Sequence, residues 1–347
     1  MSHQIYLGLT LLLFFSTLSH AKEGAEDLWT FNLYFENDLF SESDQDYTNG
    51  IRLSWVTSDL SDYIDDPALP QWLRSINKRL TFFHPEPDGL QRNAVVSIGQ
   101  TIYTPEDIEA TEVVQDDRPY AGWLYTSFAY HSKDRNQLDS LEIQLGIIGP
   151  SALGEDAQDW VHDLRGFAQF QGWDNQLRDE FGLLLAYEHK RKILEHQSNN
   201  SHFGYDLITH AGLAFGNIGI YTNAGAEVRV GWRIPRDFGT SAVRPAGDNS
   251  APDAHWDPRY LKDGKWGLHF FASFDTRIIA RDIFLDGNTF GSSHSVRKEH
   301  IVADLSAGIS AVFEGVKISY AQVFRTREFK QQDDAHSYGS LSISYSY

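Results

Sequence analysis

The sequence predicts an all-β chain closed into a twelve-stranded antiparallel transmembrane β-barrel, with a short helix in one extracellular loop. Three observations predict it. Segments of roughly ten residues alternate apolar with polar, as a sheet does with one face in lipid and the other in a polar lumen. Their number is even, and beyond residue 21 no apolar run is long enough for a membrane helix. The chain ends on alternation as well: Leu341, Ile343, Tyr345 and Tyr347 against Ser340, Ser342, Ser344 and Ser346.

Residues 1–21 read as a signal peptide, with an apolar core from Leu7 to Phe15 and a small-x-small ending at Ser19-His20-Ala21. The barrel is expected over 22–347. Its first strand places Trp29, Phe31, Leu33 and Phe35 on one face, and its second does the same with Ile51, Leu53 and Trp55. Further strands are expected at 93–103, 120–132, 138–148, 178–190 and 203–215. The clearest is 223–234, where Ala224, Ala226, Val228, Val230 and Trp232 oppose Gly225, Glu227, Arg229, Gly231 and Arg233. Strands at 266–279, 298–313, 315–326 and 337–347 complete the twelve. The last has the form of a terminal strand read by the bacterial barrel-insertion machinery, and nine Trp and sixteen Tyr can supply interfacial girdles.

Net charge is −19, which argues against nucleic acid as a partner and suits a surface bathed in divalent cations. Cysteine is absent, so disulfides, zinc-thiolate sites and cysteine nucleophiles are excluded. Glu, Arg, Asp and His point inward from several strands, as in a plugged barrel rather than an open pore. Two inner-side connections are too long for periplasmic turns. Residues 59–92 include a short helix with Trp72, Leu73, Ile76 and Leu80 on one side, and 235–265 are rich in turn formers. Neither carries recognisable chemistry.

With both termini in the periplasm, loops 1–2, 3–4 and 5–6 converge on the outer rim. They carry Glu36-Asn37-Asp38, Asp46-Tyr47-Thr48-Asn49-Gly50 and Asp117-Arg118-Pro119-Tyr120. Loop 5–6 follows Gly149-Pro150 and holds an amphipathic helix, with Ser151 as its cap and Gly166 as its end. Leu153, Ala157, Trp160, Val161, Leu164 and Phe167 share one helical face, while Glu155, Gln158, Asp159 and His162 share the other. Read without other knowledge, His162 is more often a solvated histidine, and Asn37-Asp38 more often an Asx turn.

These blocks, with Ala121-Gly122-Trp123 and Gly146-Ile147-Ile148-Gly149-Pro150, resemble the outer-membrane lipid A 3′-O-deacylases over most of the mature chain. The resemblance implies calcium-dependent removal of 3′-linked acyl chains from lipid A, at a site between barrel wall and loop helix. Carried over residue by residue, it implies His162 as the base, Asn37 and Asp38 as the Ca2+ and oxyanion site, and Thr48 as a supporting polar residue. Asp117, Arg118 and Tyr120 become candidates for substrate binding, although Asp117-Arg118 reads equally as an ion pair steadying its loop. The roles agree with elementary chemistry. Imidazole titrates near neutrality at ~6.5 and can take a proton from water, and calcium takes hard oxygen ligands.

The chain departs from the family pattern in two places. Ala168 stands where some members carry a glutamate; if that glutamate ligates the metal, this chain must use another oxygen, with Glu155, Asp159 and Asp174 as candidates. Glu106-Asp107-Ile108-Glu109-Ala110 replaces a basic pair. The expected partners are therefore lipid A in lipopolysaccharide and outer-membrane lipids, bound by a monomer. A calcium-dependent phospholipase and a non-catalytic porin or adhesin barrel are the alternatives.

Overall fold

The computed structural model describes residues 28–37, 46–79, 89–166, 168–198, 200–240, 243–253, 257–259 and 266–347. The signal segment 1–21, Asp38, Leu80 and Phe167 lie outside them. Twelve strands follow in order: β1 (Thr30–Asn37), β2 (Asp46–Val56), β3 (Gln91–Thr104), β4 (Ala121–Lys133), β5 (Gln137–Ile148), β6 (Glu180–Gln197), β7 (Phe203–Gly216), β8 (Gly219–Trp232), β9 (Trp266–Asp282), β10 (Ile301–Phe313), β11 (Val316–Arg325) and β12 (His336–Ser346). Among the described residues three α-helices interrupt them: α1 (Gln71–Asn77) between β2 and β3, α2 (Gly154–Arg165) between β5 and β6, and α3 (Ile283–Asp286) after β9.

Each strand pairs antiparallel with the next, and β1 closes on β12 from Thr30↔Ser346 to Asn37↔Gly339. The chain's two ends therefore zip together, leaving no open edge for lipid to meet. Strand boundaries agree with the alternation to within a few residues, except that β6 runs on to Gln197. On β7, Phe203 and Phe215 both face lipid, twelve residues apart. At ~3.4 Å per residue and a tilt of ~40–45°, they span about 30 Å of membrane height, the thickness of a hydrocarbon core.

The lumen is filled by the β8–β9 connection, which the sequence marked only as a turn-rich insertion. Instead of hanging below the barrel, it folds up inside. Asp248 accepts from Arg52 and from Ser54, each at 2.5 Å. Ser250 donates to Asn32 at 2.6 Å, and the Val243 amide donates to Glu36 near the outer end of β1 at 2.7 Å. Arg244 forks onto Glu188 at 2.7 and 3.0 Å. Lower down, Asp237 is shared by Arg229 at 2.5 Å, Lys317 at 2.7 Å and Arg259 at 3.3 Å. The inward-pointing charges of the wall are thus the partners of a plug. An ionised group away from water requires such a partner, because desolvation otherwise outweighs what it gains.

Asp237→Ala leaves Lys317 without a carboxylate and removes one of the two acids held by each of Arg229 and Arg259. It should cost about 3–5 kcal/mol, the scale for breaking a buried pair. In planar bilayers the wild type should not conduct, whereas the variant should open transiently. Equal conductance in both would show that the insertion does not seal the lumen.

Candidate active site on the outer wall

Residues of β3 and β4 alternate between the lumen, where Tyr103, Trp123 and Tyr125 point, and the outside, where Gln100, Ile102 and Gly122 point. Helix α2 lies against that outside face at the outer rim. Two glycines permit the approach. A Cβ on Gly122 would stand 3.2 Å from Ala152 Cβ and from the Gly154 backbone, and one on Gly154 would meet the Trp173 ring at 3.0 Å. Gln100 fastens the junction by donating to the Ala152 carbonyl at 2.7 Å.

Two details of the helix differ from expectation. Ser151 is not its cap: it lies in a 3-10 turn over Pro150–Ala152 and donates to Asp179 at 2.6 Å. The helix starts instead from Leu153 in a left-handed conformation, φ 58°, with no side-chain cap. Its burial does not follow its polarity. Gln158 and His162, from the polar face, are buried, and Leu153 and Trp160, from the apolar face, are exposed, while Ala157 packs inward and Glu155 stays exposed. At the rim of a membrane protein the outside is lipid, so Leu153 and Trp160 face away from the wall while Gln158 and His162 are enclosed against it.

His162 is 2% exposed. Gly166, at φ 72°, ends the helix as expected and turns the chain back. The Ala168 carbonyl thereby comes within 2.5 Å of His162 Nδ1. A carbonyl can only accept, so the proton sits on Nδ1 and the lone pair on Nε2. Ala168 offers no carboxylate of its own, yet its backbone sets the tautomer of the neutral ring. Phe170 braces the ring edge-on at 5.5 Å.

Phe170 belongs to a cluster with Ile102, Tyr120 and Trp173. Trp173 donates to Gln158 at 3.0 Å, and Leu177 N donates to the Tyr120 carbonyl at 2.9 Å, stitching loop 5–6 to loop 3–4. Burial pushes the Tyr120 phenol up to about 12, so it is neutral at physiological pH. Strand register carries the site sideways along one outward-facing row. Ile102 pairs with Asn49, and Asn49 with Asn37. Two strand spacings, roughly 10 Å, separate Asn37 from Ile102. The backbone of Thr48 falls at the bulge between Tyr47 and Asn49. Asn37, the Thr48 backbone and the helix that carries His162 thus all lie at the outer end of the neighbouring strands β1 to β4.

Asp117 and Arg118 take other parts. Asp117 accepts from the amides of Arg118 at 2.6 Å and Glu106 at 2.7 Å, holding its own loop. Arg118 is buried and reaches across the barrel mouth to Glu328 in the β11–β12 loop, at 2.7 Å. Of the two readings of this dipeptide, the geometry favours a steadying ion pair, with Glu328 rather than Asp117 as the acid. A cavity of about 220 Å³ lies in the lumen beneath this mouth, lined by Tyr103, Trp123, Lys190 and Arg277, and neither His162 nor Asn37 faces it.

Among the described residues no three His, Asp or Glu side chains form a metal cluster. The oxygens present nonetheless suit a hard cation. Asn49 Oδ1 and Asp159 Oδ1 are buried acceptors with no hydrogen-bond partner among the described residues. Burial, then the neighbouring Asp163 and Asp156, hold the Asp159 carboxyl above its ordinary value. Glu155 is raised by burial and by Asp159, Asp156 and Asp174. Asn49 is not among the sequence candidates, although it shares the lipid-facing parity of Ile51 and Leu53, where a polar residue is costly.

A closed twelve-stranded antiparallel barrel with an apolar outer face and a charged lumen defines an outer-membrane barrel protein. A family model described as outer membrane protein LpxR matches residues 7–347. The chain belongs to the LpxR family. Among solved structures, LpxR from Salmonella typhimurium aligns at a TM-score of 0.69 and 19% identity, covering 91% of this chain and 99% of that one. The β domain of the Bordetella autotransporter Brka aligns at 0.44 and 8% identity, covering 93% and 100%. The translocator domain of NalP from Neisseria meningitidis aligns at 0.34 and 10%, covering 99% and 96%. No curated protein matches the sequence.

Burial alone would raise the Glu328 carboxyl, but Arg118, Arg325 and Arg277 outweigh it and hold it at about 2. A depressed carboxylate stabilises the fold above the unfolded value near ~4.3, and that contribution fades as pH falls from there towards 2. Limited proteolysis of loop 3–4 should therefore accelerate below about pH 4. In Glu328→Gln that acid step should be absent and basal cleavage faster. An identical pH profile in both proteins would remove Glu328 from the lock.

Proposed function

We propose that this protein is a calcium-dependent lipid A 3′-O-deacylase that hydrolyses 3′-linked acyl esters of lipopolysaccharide at the outer leaflet. The observation that carries this reading is the placing of His162: buried on the lipid side of the wall at the outer rim, with its proton directed to Nδ1. Family membership and the site blocks named above support it. Nε2 of His162 takes a proton from the attacking water, and the imidazolium returns it to the departing sugar oxygen, leaving a carboxylic acid and an alcohol. Asn37 and Asp38 would hold the ion, with Asn49 and Asp159 as further oxygen donors and Thr48 in support. Calcium, when bound, supplies positive charge to the oxyanion. Asn37 adds an amide donor, and Trp160 and Leu153 meet the acyl chains. Tyr120 shapes the wall beneath the histidine.

Substrate geometry favours lipid A over a phospholipid, because the site opens at the level where lipopolysaccharide resides. A porin or adhesin reading gains nothing from the filled lumen. Mass spectrometry of lipid A from cells with and without the protein tests the proposal. Loss of 3′-linked chains only when the protein is present is expected; intact lipid A alongside lysophospholipid would favour the phospholipase.

His162→Ala should fold, shown by heat-modifiable gel mobility, while activity falls roughly a hundredfold or more. Asp38→Ala should also be inactive but partly rescued by excess calcium, which cannot rescue His162→Ala because an ion is no proton acceptor. Magnesium should substitute poorly, since it demands a tighter octahedral shell. A wild type indifferent to chelator would end the calcium role.

A further inference from the structure

The inner end of β3 and β4 is covered, like their outer end, by a segment lying outside the barrel. Leu73 of α1 is buried with Leu60, Tyr63, Leu69 and Ala94, and Phe128 and Tyr130 pack on this cluster. Ala94 and Tyr130 are paired across β3–β4 on the outward face. Tyr130 also donates to Asn77 at the end of α1, and Tyr63 packs edge-on against Tyr130 at 4.9 Å. Helix α1 is therefore clamped to the lipid-facing side of the wall at its periplasmic end.

Around the rest of the barrel that level is marked by exposed outward aromatics. Phe203 pairs with Trp232 and Trp266 with Phe313, while Trp232 and Trp266 meet at 5.8 Å. They form the inner aromatic girdle. Over β3 and β4 the wall's own aromatics, Phe128 and Tyr130, lie beneath the insertion. There Trp72 and Ile76 of α1 stand 61% and 45% exposed. At about 100° per residue, both lie on the flank between the clamped face of Leu73 and Asn77 and the open face of Gln71 and Ser75. That flank continues the girdle.

Charge selects what it meets. Arg74, Lys78 and Arg79 fall within six residues of a chain whose net charge is −19. The nearby acids precede the helix: Asp62 accepts from the amides of Ile64 and Asp65, Asp66 from those of Ser61 and Ala68, and Asp65 pairs with Lys78 at 2.8 Å; Arg74 donates to the Asp65 carbonyl at 3.3 Å, and Arg79 follows the helix on the side of Trp72.

We infer that α1 is an interfacial anchor seated in the inner leaflet of the outer membrane, with Trp72 and Ile76 at the acyl boundary and Arg79 at anionic phospholipid headgroups. This contact is independent of the deacylase reading. It fastens the wall that carries α2 to the bilayer at both faces.

Absence of cysteine makes the test direct. Trp72→Cys and, separately, Gln71→Cys are labelled with nitrobenzoxadiazole and folded into vesicles of phosphatidylethanolamine and phosphatidylglycerol. The label at 72 should emit blue-shifted light and be quenched by shallow nitroxide lipids, while the label at 71 stays water-like and unquenched. Replacing phosphatidylglycerol by phosphatidylcholine should reduce quenching at 72 by about twofold. Ile76→Cys provides a second reporter if Trp72→Cys fails the heat-modifiability check for folding. Water-like emission at both 72 and 76 would overturn the anchor and leave the flank to a periplasmic protein. Equal quenching in the two lipid mixtures would overturn the headgroup assignment.

Discussion

Closure of β1 on β12 is the pairing on which the rest depends. In hydrocarbon each backbone N–H and C=O must find a partner within the protein, and a sheet does so only by becoming a cylinder. Once closed, the cylinder sorts its side chains into two environments. The outer surface must be apolar except near its ends, and the inner surface can hold charge only if that charge is paired. The plug and the candidate site are two answers to this sorting.

Inside, the answer is neutralisation. Arg52, Arg229, Lys317 and Glu188 come from the wall, and Asp248, Asp237 and Arg244 come to them from one connection. Their pairing fixes the insertion and stiffens the strands from within. A wall held this way can keep a helix in place on its outer surface, since a catalytic constellation needs supports that do not move. Arg118 and Glu328 extend the same logic to the mouth, tying loop 3–4 to the β11–β12 loop.

Outside, the answer is concealment. Asn37 and Asn49 lie on lipid-facing parity, where their amides would be costly if bare. The neighbouring wall is roofed by α2. Beneath the helix, His162 and Gln158 are buried beside the cluster of Ile102, Tyr120, Phe170 and Trp173. His162 is solvated by the usual expectation for a histidine on a polar helical face, and it is buried because in this place its side of the helix is the inner one.

The sequence by itself determined the barrel, its strand number and the outer-rim placing of Asn37, Thr48 and His162, because a period of two and loop parity are local properties that survive any packing. It also placed Gly166 at the end of the loop helix, since a left-handed cap needs glycine whatever surrounds it. Only the tertiary structure decided which way α2 faces, that Ser151 binds Asp179 rather than capping it, and that Arg118 answers Glu328. The fate of the turn-rich insertion belongs with these, since turn formers are as much at home in a lumen as in the periplasm. Each of these choices depends on partners tens or hundreds of residues away, brought near by the closed cylinder. A helix's amphipathicity gives its two sides but not which of them meets lipid, and a charged residue gives a need for a partner but not the partner's position.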